Sequence, residues 1–256
     1  MRRFGLVLMM CLSMPWAWSA CRQPLRVALE DWPPYVHVGA NGQPVGLEVE
    51  LLQAVAREAG CTVKFLGNIP RQRRMALFKL GKLDVMYAAS DTPERRTFAL
   101  FSESYRDEVV RVMADGSNPP QPLPASFSTI LERRLPLLVP HGGFFGTEYE
   151  QLMPQLSEGH LLLPFEEYQQ GVEMLRVGRA RLIMGDEVAL QFLTSRHDDG
   201  VKLVPLPFVA SRGPVHYMLS KMTLTPADKA ALDKAIAKVI RSGERARILA
   251  RYGVQD

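Results

Sequence analysis

Two cysteines offer the clearest covalent chemistry in the sequence. The third cysteine, Cys11, lies in the first twenty residues, which are predicted below to be a cleaved signal peptide, so Cys21 and Cys61 remain. A chain exported in this way enters an oxidising compartment. The sequence predicts strands at Leu25 to Leu29 and Thr62 to Leu66, directly after the two cysteines. Since adjacent parallel strands bring their starts together, we expect a Cys21–Cys61 disulfide. The alternative is two unpaired thiols, of which Cys21 is lipidated.

The first twenty residues have the layout of a secretory signal peptide. Arg2 and Arg3 precede an apolar stretch over residues 4–14, and small residues lead to Ala20. This stretch is far shorter than the roughly 20 residues of a membrane-spanning helix, so we expect cleavage and not a membrane anchor. In a lipoprotein the following cysteine would be acylated, but Trp18 stands where an aliphatic residue is expected. Lipid anchoring is therefore the less favoured alternative.

Catalytic, metal-binding and nucleic-acid-binding patterns are not visible in the sequence. The five histidines have no motif context, and there is no Ser-His-Asp order or phosphate loop. Two cysteines with scattered histidines do not predict a metal site. The formal charge of +4 falls to +2 when two leader arginines are removed, and this mild excess predicts no nucleic-acid partner.

Short β-rich runs alternate with amphipathic helical runs from residue 25 onward, which is typical of parallel strands with crossover helices. An irregular stretch, DGSNPPQPLPAS, follows a predicted strand at Glu108 to Ala114 and indicates a lobe boundary. A second alternating set follows, with VKLVPLPF and VHYMLSK as two late strands. Two helices end the chain, the first opened by Thr225 and Pro226. The sequence predicts an α/β protein with two lobes and a ligand cleft between them.

Five stretches resemble, in order and spacing, the family 3 extracellular solute-binding proteins, the polar amino-acid receptors of bacterial uptake systems. They are DWPPYV, GLEVELLQAVAREAG, LGKLDVMYAASDTPERRTFALFSESY, GRARLIMGDEVALQFL and AIAKVIRSGERARILARYG. The resemblance implies a periplasmic type II fold, in which two lobes, each a mostly parallel sheet flanked by helices, close on a ligand without a cofactor. We expect residues 22–109 and 213–256 to form lobe 1 and residues 110–212 to form lobe 2.

The resemblance also implies which residues bind the ligand. Arg95 would grip an α-carboxylate with two parallel charge-assisted hydrogen bonds. Ser90 falls where the family places a hydroxyl against the same carboxylate, with a helix N-cap as the alternative. Asp186 occupies the position that pairs with the ligand's α-ammonium, and its alternative is also a helix N-cap. Trp32 falls at an aromatic wall, unless it is only packed within its loop.

The loop HGGFFGTEYE departs from the family pattern. It replaces a short Gly-Ser/Thr turn at the start of a helix, where amide N–H groups and the positive dipole end suit a carboxylate. The candidate ligand contacts in this loop are Gly143, Phe144 and Thr147.

Arg71 is a second departure, because amino-acid receptors commonly place a stacking aromatic residue at this position. A second cation in the cleft would favour a ligand with an anionic side chain. Alternatively, Arg71 belongs to a basic helix start at the surface. Glu30 and Asp31 either balance such cations or select a basic ligand, so the charge of the ligand's side chain stays open.

The sequence thus predicts a monomeric, non-enzymatic binding protein that captures an amino acid or related carboxylate for a membrane ABC permease. One alternative is a periplasmic dehydratase of the cyclohexadienyl type, which shares the fold and needs a cleft acid such as Glu30, Asp186 or Glu187. A catalytic acid should be desolvated with a raised pKa, whereas a carboxylate paired with an ammonium should stay ionised. Another alternative is a sensor that reports the ligand to a membrane signalling partner.

Overall fold

The computed structural model describes residue 21, residues 23–195 and residues 201–254, including every side chain in these ranges except those of Asn68 and Arg71. The predicted signal peptide, residues 1–20, lies outside this part of the chain. Within the described ranges, no helix is both long enough and apolar enough to cross a membrane.

Strands and helices alternate along the chain, as the α/β prediction requires. The strands are β1 (Leu25–Leu29), β2 (His37–Val38), β3 (Pro44–Val45), β4 (Val63–Asn68), β5 (Val85–Ala89), β6 (Ala99–Asp115), β7 (Leu137–Pro140), β8 (Leu162–Phe165), β9 (Leu182–Asp186) and β10 (Leu203–Ser220). The helices are α1 (Leu47–Glu58), α2 (Arg71–Lys79), α3 (Pro93–Arg96), α4 (Phe127–Glu132), α5 (Thr147–Glu158), α6 (Tyr168–Arg176), α7 (Glu187–Thr194), α8 (Pro226–Arg241) and α9 (Glu244–Arg251).

Eight of these strands form one sheet in the order β4-β1-β5-β10-β6-β9-β7-β8. One end of the sheet consists of β4-β1-β5 and the other of β9-β7-β8, and within each group the neighbouring strands pair in parallel. The long strands β6 and β10 lie between them and pair in antiparallel fashion along most of their length. Because β5 pairs with the end of β10 and β9 with the end of β6, the two long strands join two parallel half-sheets.

The two long strands differ from the sequence prediction. VKLVPLPF and VHYMLSK are parts of one strand, β10, whose register shifts several times against β6 without ending the pairing. β6 begins at Ala99 and not near Glu108, because its polar run from Ser102 to Glu108 hides the alternating pattern of a strand. The predicted lobe boundaries fall inside these strands, where Val109 lies opposite Arg212.

The helices pack on the sheet through the apolar faces that the sequence indicates. Leu51 and Leu52 of α1 are buried, as are Leu232 and Ile236 of α8, and the two helices lie in contact. Each buried side chain of this size stabilises the fold by about 1.5–3 kcal/mol. α8 begins with the predicted cap, since Thr225 accepts a hydrogen bond from the third residue of the helix.

The predicted disulfide is present, with the Cα atoms of Cys21 and Cys61 5.2 Å apart. The two cysteines precede β1 and β4, which pair in parallel from Leu25 opposite Val63. The geometry on which the prediction rested is therefore confirmed. A Cys21 sulfur in a disulfide is also not a thiol that can carry a lipid.

Candidate functional site

A cavity of about 440 Å³ lies at the carboxyl ends of the parallel strands. One side is built by the segments after β1 and β5 and by α2, and the other by the loop after β7 and the start of α6. β6 contributes side chains between them. Segments far apart in the sequence meet here because parallel strands all present their carboxyl ends at the same edge of a sheet.

Five of the predicted ligand contacts line this cavity: Trp32, Ser90, Arg95, Gly143 and Phe144. Nη1 of Arg95 donates a hydrogen bond to the carbonyl oxygen of Ser90 at 3.0 Å, so the two residues predicted to meet a carboxylate are neighbours. The N-cap of α3 is Thr92, and the alternative in which Ser90 caps this helix is therefore wrong.

Trp32 is part of an aromatic wall. Its ring centroid lies 4.3 Å from that of Tyr35 and 6.3 Å from that of Tyr168, with interplanar angles of 30° and 25°. Trp32 and Tyr168 both line the cavity, and they come from opposite sides of it. Trp32 is thus packed within its loop and also exposed to the cavity, so the two alternatives drawn from the sequence are compatible.

The glycine-rich loop contributes its first part to the cavity and not its last. Gly143 has a φ of 126°, and a Cβ at this position would lie 2.5 Å from the ring of Phe145, so only glycine fits. Thr147, predicted as a contact, is exposed in the first turn of α5 and is not among the lining residues. The loop before α5, and not the end of the helix, therefore faces the cavity.

Asp186 does not line the cavity, in contrast to the expectation that it faces the ligand's ammonium. Its carboxylate is buried, and it accepts hydrogen bonds from the N–H of Ala189 at 2.8 Å and the hydroxyl of Tyr35 at 3.1 Å. Asp186 is the N-cap of α7, which is the alternative that the sequence left open. Burial raises the pKa of this carboxyl to about 6, although the charge of Arg106 opposes the shift.

Arg71 is the first residue of α2, and its side chain lies outside the described part of the structure. Arg74, three residues later, lines the cavity and forms an ion pair with Glu30. Burial lowers the pKa of Arg74 to about 10. Residues three apart share a helix face, so the prediction of Arg71 as a ligand contact could have been extended to Arg74.

A second cavity of about 430 Å³ adjoins the first and shares Glu30, Trp32, Arg74 and Tyr168 with it. The carboxylate residues lining one or both cavities are Glu30, Asp31, Glu108, Glu166 and Glu167. Among the lining side chains that the structure describes, these five carboxylates face only two arginines. Carboxylates therefore outnumber arginines in the described lining of the combined cleft.

Sequence reasoning missed several of these acidic residues. Glu166 and Glu167 come directly after β8, and Glu108 lies within a long strand. The carboxyl end of a predicted parallel strand was the signal that could have identified Glu166 and Glu167. Glu166 also accepts a hydrogen bond from Nε2 of Gln72 at 2.6 Å, which joins α2 to the opposite side of the cleft.

The sequence of residues 25–255 matches the bacterial extracellular solute-binding proteins, family 3. The chain belongs to this family. Among curated proteins, this family 3 protein is similar to the putative ABC transporter arginine-binding protein 2 of Escherichia coli (strain K12), with 26% identity over 170 residues. The match covers 66% of this chain and 65% of the relative, so the family 3 protein spans just under two thirds of that relative's length.

Solved structures of low sequence identity share the fold of this family 3 protein. A histidine kinase sensor domain with similarity to periplasmic binding proteins has a TM-score of 0.77 at 20% identity, over 93% of this chain and 99% of that chain. The arginine-, lysine-, histidine-binding protein ArtJ from Geobacillus stearothermophilus has a TM-score of 0.76 at 18% identity, over 92% and 97%. The predicted family and two-lobed α/β fold are confirmed, and the protein is a solute-binding protein of an extracellular class.

Proposed function

We propose that this protein is a monomeric periplasmic receptor that captures a cationic amino acid, or a related carboxylate with a cationic end, for an ABC permease. The observation that carries the proposal is the charge pattern of the two adjoining cavities. Arg95 beside Ser90 lies in one, and a group of carboxylates lines the other. The curated relative in Escherichia coli is named as an arginine-binding protein, which agrees with a ligand of this charge.

Arg95 is proposed to receive the carboxylate end of the ligand. A guanidinium has five N–H donors in a planar arrangement that matches a carboxylate, and Arg95 gives one of them to Ser90. Its side chain is only partly buried at the cavity edge. A carboxylate that enters this region would displace water and gain charge-assisted hydrogen bonds.

The second cavity is proposed to receive the cationic end. Asp31, Glu166 and Glu167 supply negative charge, and the faces of Trp32 and Tyr168 can attract a cation. In the first cavity, Glu108 takes the role beside the α-ammonium that the sequence assigned to Asp186. An amino acid with a long basic side chain has a carboxylate and an ammonium group at one end and a cation at the other, which matches this arrangement of charges.

We also propose that two lobes close on the ligand. The chain passes from lobe 1 to lobe 2 between residues 109 and 110 and returns between residues 212 and 213. Arg95 and Glu30 come from proposed lobe 1, whereas Gly143, Glu167 and Tyr168 come from proposed lobe 2. A ligand that contacts both sides stabilises the closed form relative to the open one.

The contacts of the candidate acids favour binding over dehydration. Glu30 is paired with Arg74, and Glu187 is paired with Arg111 at 2.8 Å, so each of these two candidate acids already has a cationic partner. Asp186 has a raised pKa but does not line the cavity. A general acid must reach the group that it protonates.

The test is a thermal-shift and calorimetric screen of the chain without its predicted leader. The ligands are L-arginine, L-lysine, L-glutamine, L-glutamate and prephenate. We expect L-arginine or L-lysine to raise the melting temperature most, since a ligand at a hundred times its Kd adds about 2.7 kcal/mol of stability. A response to L-glutamate alone would contradict the cationic ligand class, and a response to prephenate with its consumption would indicate the dehydratase.

A further inference from the structure

β5 contains a β-bulge beside the cavity. Two of its residues, Tyr87 and Ala88, lie opposite the single residue Tyr217 of β10, where the register between the strands shifts. Ala88 has a φ of 49°, in the left-handed region that a residue with a Cβ rarely adopts. Both bulge residues line the cavity. Bulges next to functional sites redirect the side chains that follow them.

The hydroxyl of Tyr105 supports this bulge. The N–H of Ala88 donates to Oη of Tyr105 at 2.8 Å, and that hydroxyl donates to Oε2 of Glu48 at 2.6 Å. Tyr105 is 2% exposed and Glu48 is fully buried. An N–H shielded from water without a partner is costly, and the hydroxyl of Tyr105 satisfies the N–H of the half-buried Ala88.

The pairing of β6 with β10 is also irregular close to the bulge. Among the strand pairs that the structure describes, Ser104 and Arg106 have partners in β10, whereas Tyr105 between them has none. The ring of Tyr105 stacks on Tyr217, with centroids 4.1 Å apart and an interplanar angle of 9°. The shift at Tyr105 lies between Val215 and His216 of β10, next to the shift at Tyr217, and the side chain of Tyr105 connects the two.

The bulge leads directly to the residues that are proposed to bind the carboxylate. Ser90 follows Ala88 by two residues, and its carbonyl oxygen accepts the hydrogen bond from Nη1 of Arg95. A change in the backbone at Ala88 would move this carbonyl group. The guanidinium that donates to it would then move away from its place at the cavity.

We infer that Tyr105 is a positioning residue for ligand binding. Its hydroxyl, oriented by Glu48, keeps the bulge in the shape that places Ser90 and Arg95 at the cavity. The inference rests on the proposed function, because Arg95 must contact the ligand for its position to matter. Tyr105 itself is not among the residues that line the cavity.

The primary test compares Tyr105→Phe with Tyr217→Phe by calorimetric titration with L-arginine. We expect Tyr105→Phe to raise the Kd about tenfold, the effect of losing one buried hydrogen bond. Tyr217 is a matched control, since its buried hydroxyl has no hydrogen-bond partner among the described residues and its ring lies in the same stack. Its Kd should stay within about twofold of the wild-type value.

Ala88→Gly separates positioning from a loss of general stability. Glycine adopts positive φ values without a Cβ penalty, so the bulge in this variant depends less on Tyr105. We expect Tyr105→Phe to raise the Kd only about threefold or less in the Ala88→Gly background. The inference is overturned if Tyr105→Phe lowers the melting temperature but leaves the Kd unchanged, or if its effect on Kd is the same in both backgrounds.

Amide hydrogen exchange of the ligand-free protein decides the same question without a ligand. We expect faster exchange in the peptide over residues 85–90 in Tyr105→Phe and not in Tyr217→Phe. If the wild type binds neither L-arginine nor another amino acid of the screen, the proposed function fails. Unchanged exchange at Ala88 in Tyr105→Phe overturns the role of the hydroxyl, whatever the wild type binds.

Discussion

Two arginine–glutamate pairs of this molecule lie in different surroundings. Nε of Arg106 is 2.6 Å from Oε1 of Glu48, with side chains that are 2% and 0% exposed. Arg74 contacts Glu30 with side chains that are 7% and 17% exposed, and this second pair lines the cavity. Burial alone would lower the pKa of Arg106, but the negative charge of Glu48 acts against burial and the net pKa is raised. Burial lowers the pKa of Arg74 to about 10.

The difference shows that the surroundings of an ion pair, and not its residue types, decide its role. Both carboxylate oxygens of Glu48 have partners inside the protein, namely Arg106 and the hydroxyl of Tyr105. This pair can act only within the fold. Glu30 and Arg74 face a cavity in which a ligand can compete for either charge, so we expect the pair to influence selectivity.

The largest expected effect comes from breaking the enclosed pair. Glu48→Gln removes the hydrogen-bonded carboxylate partner of the buried Arg106 guanidinium, which should lower the free energy of unfolding by about 3–5 kcal/mol. Urea unfolding measures this loss. Glu58→Gln is the control on the same helix, because Glu58 pairs with a Lys238 side chain that is 65% exposed. The control should lose less than about 1 kcal/mol, and a similar small loss for Glu48→Gln would contradict the comparison.

A smaller effect on stability is expected from breaking the cavity pair. Arg74→Met leaves Glu30 where water can solvate it, so the free energy of unfolding should fall by about 1–2 kcal/mol. Removal of a cation from the cleft should also strengthen L-arginine binding about threefold, by calorimetric titration. Arg73→Met is the control, since Arg73 lies on the same helix and is exposed. A tenfold weaker affinity in Arg74→Met would show that Arg74 does not oppose a cationic ligand.

A third pair, Arg26 with Asp84 at 2.7 Å, extends the comparison toward the surface. Burial opposes the shift, but hydrogen bonds from Arg26 hold the pKa of Asp84 below its ordinary value of 3.8. The stabilisation is therefore present above that value and is lost as pH falls through the lower pKa of the folded state. Asp84→Asn should cost about 1 kcal/mol at pH 7. Urea unfolding should show a smaller difference from wild type at pH 3, and an equal difference at both pH values would exclude this linkage.

The sequence contained the local signals of the fold and the segments that meet at the cavity. The strand starts after Cys21 and Cys61 and the cap at Thr225 depend on nearby residues, so pattern reasoning could identify them. Arg95 and Ser90 were found through the motif around them, and the structure places both at the cavity.

Contacts between distant residues were beyond the sequence. Asp186 is buried, and its carboxylate accepts a hydrogen bond from the hydroxyl of Tyr35, 151 residues earlier. No local pattern at Asp186 indicates this contact. The support of Ala88 by Tyr105 depends on register shifts in two different strands. Such shifts arise from pairing across the whole sheet, and a single segment does not reveal them.

The most direct test of the account is calorimetric titration of L-arginine into the wild type, Arg95→Ala and Arg96→Ala. Arg96 is the neighbouring control, because its side chain is 69% exposed and pairs with Asp91 outside the cavity lining. We expect Arg95→Ala to weaken binding about a hundredfold or more, since a desolvated carboxylate would lose its partner. Arg96→Ala should bind as the wild type does. Wild-type affinity in Arg95→Ala would contradict the account.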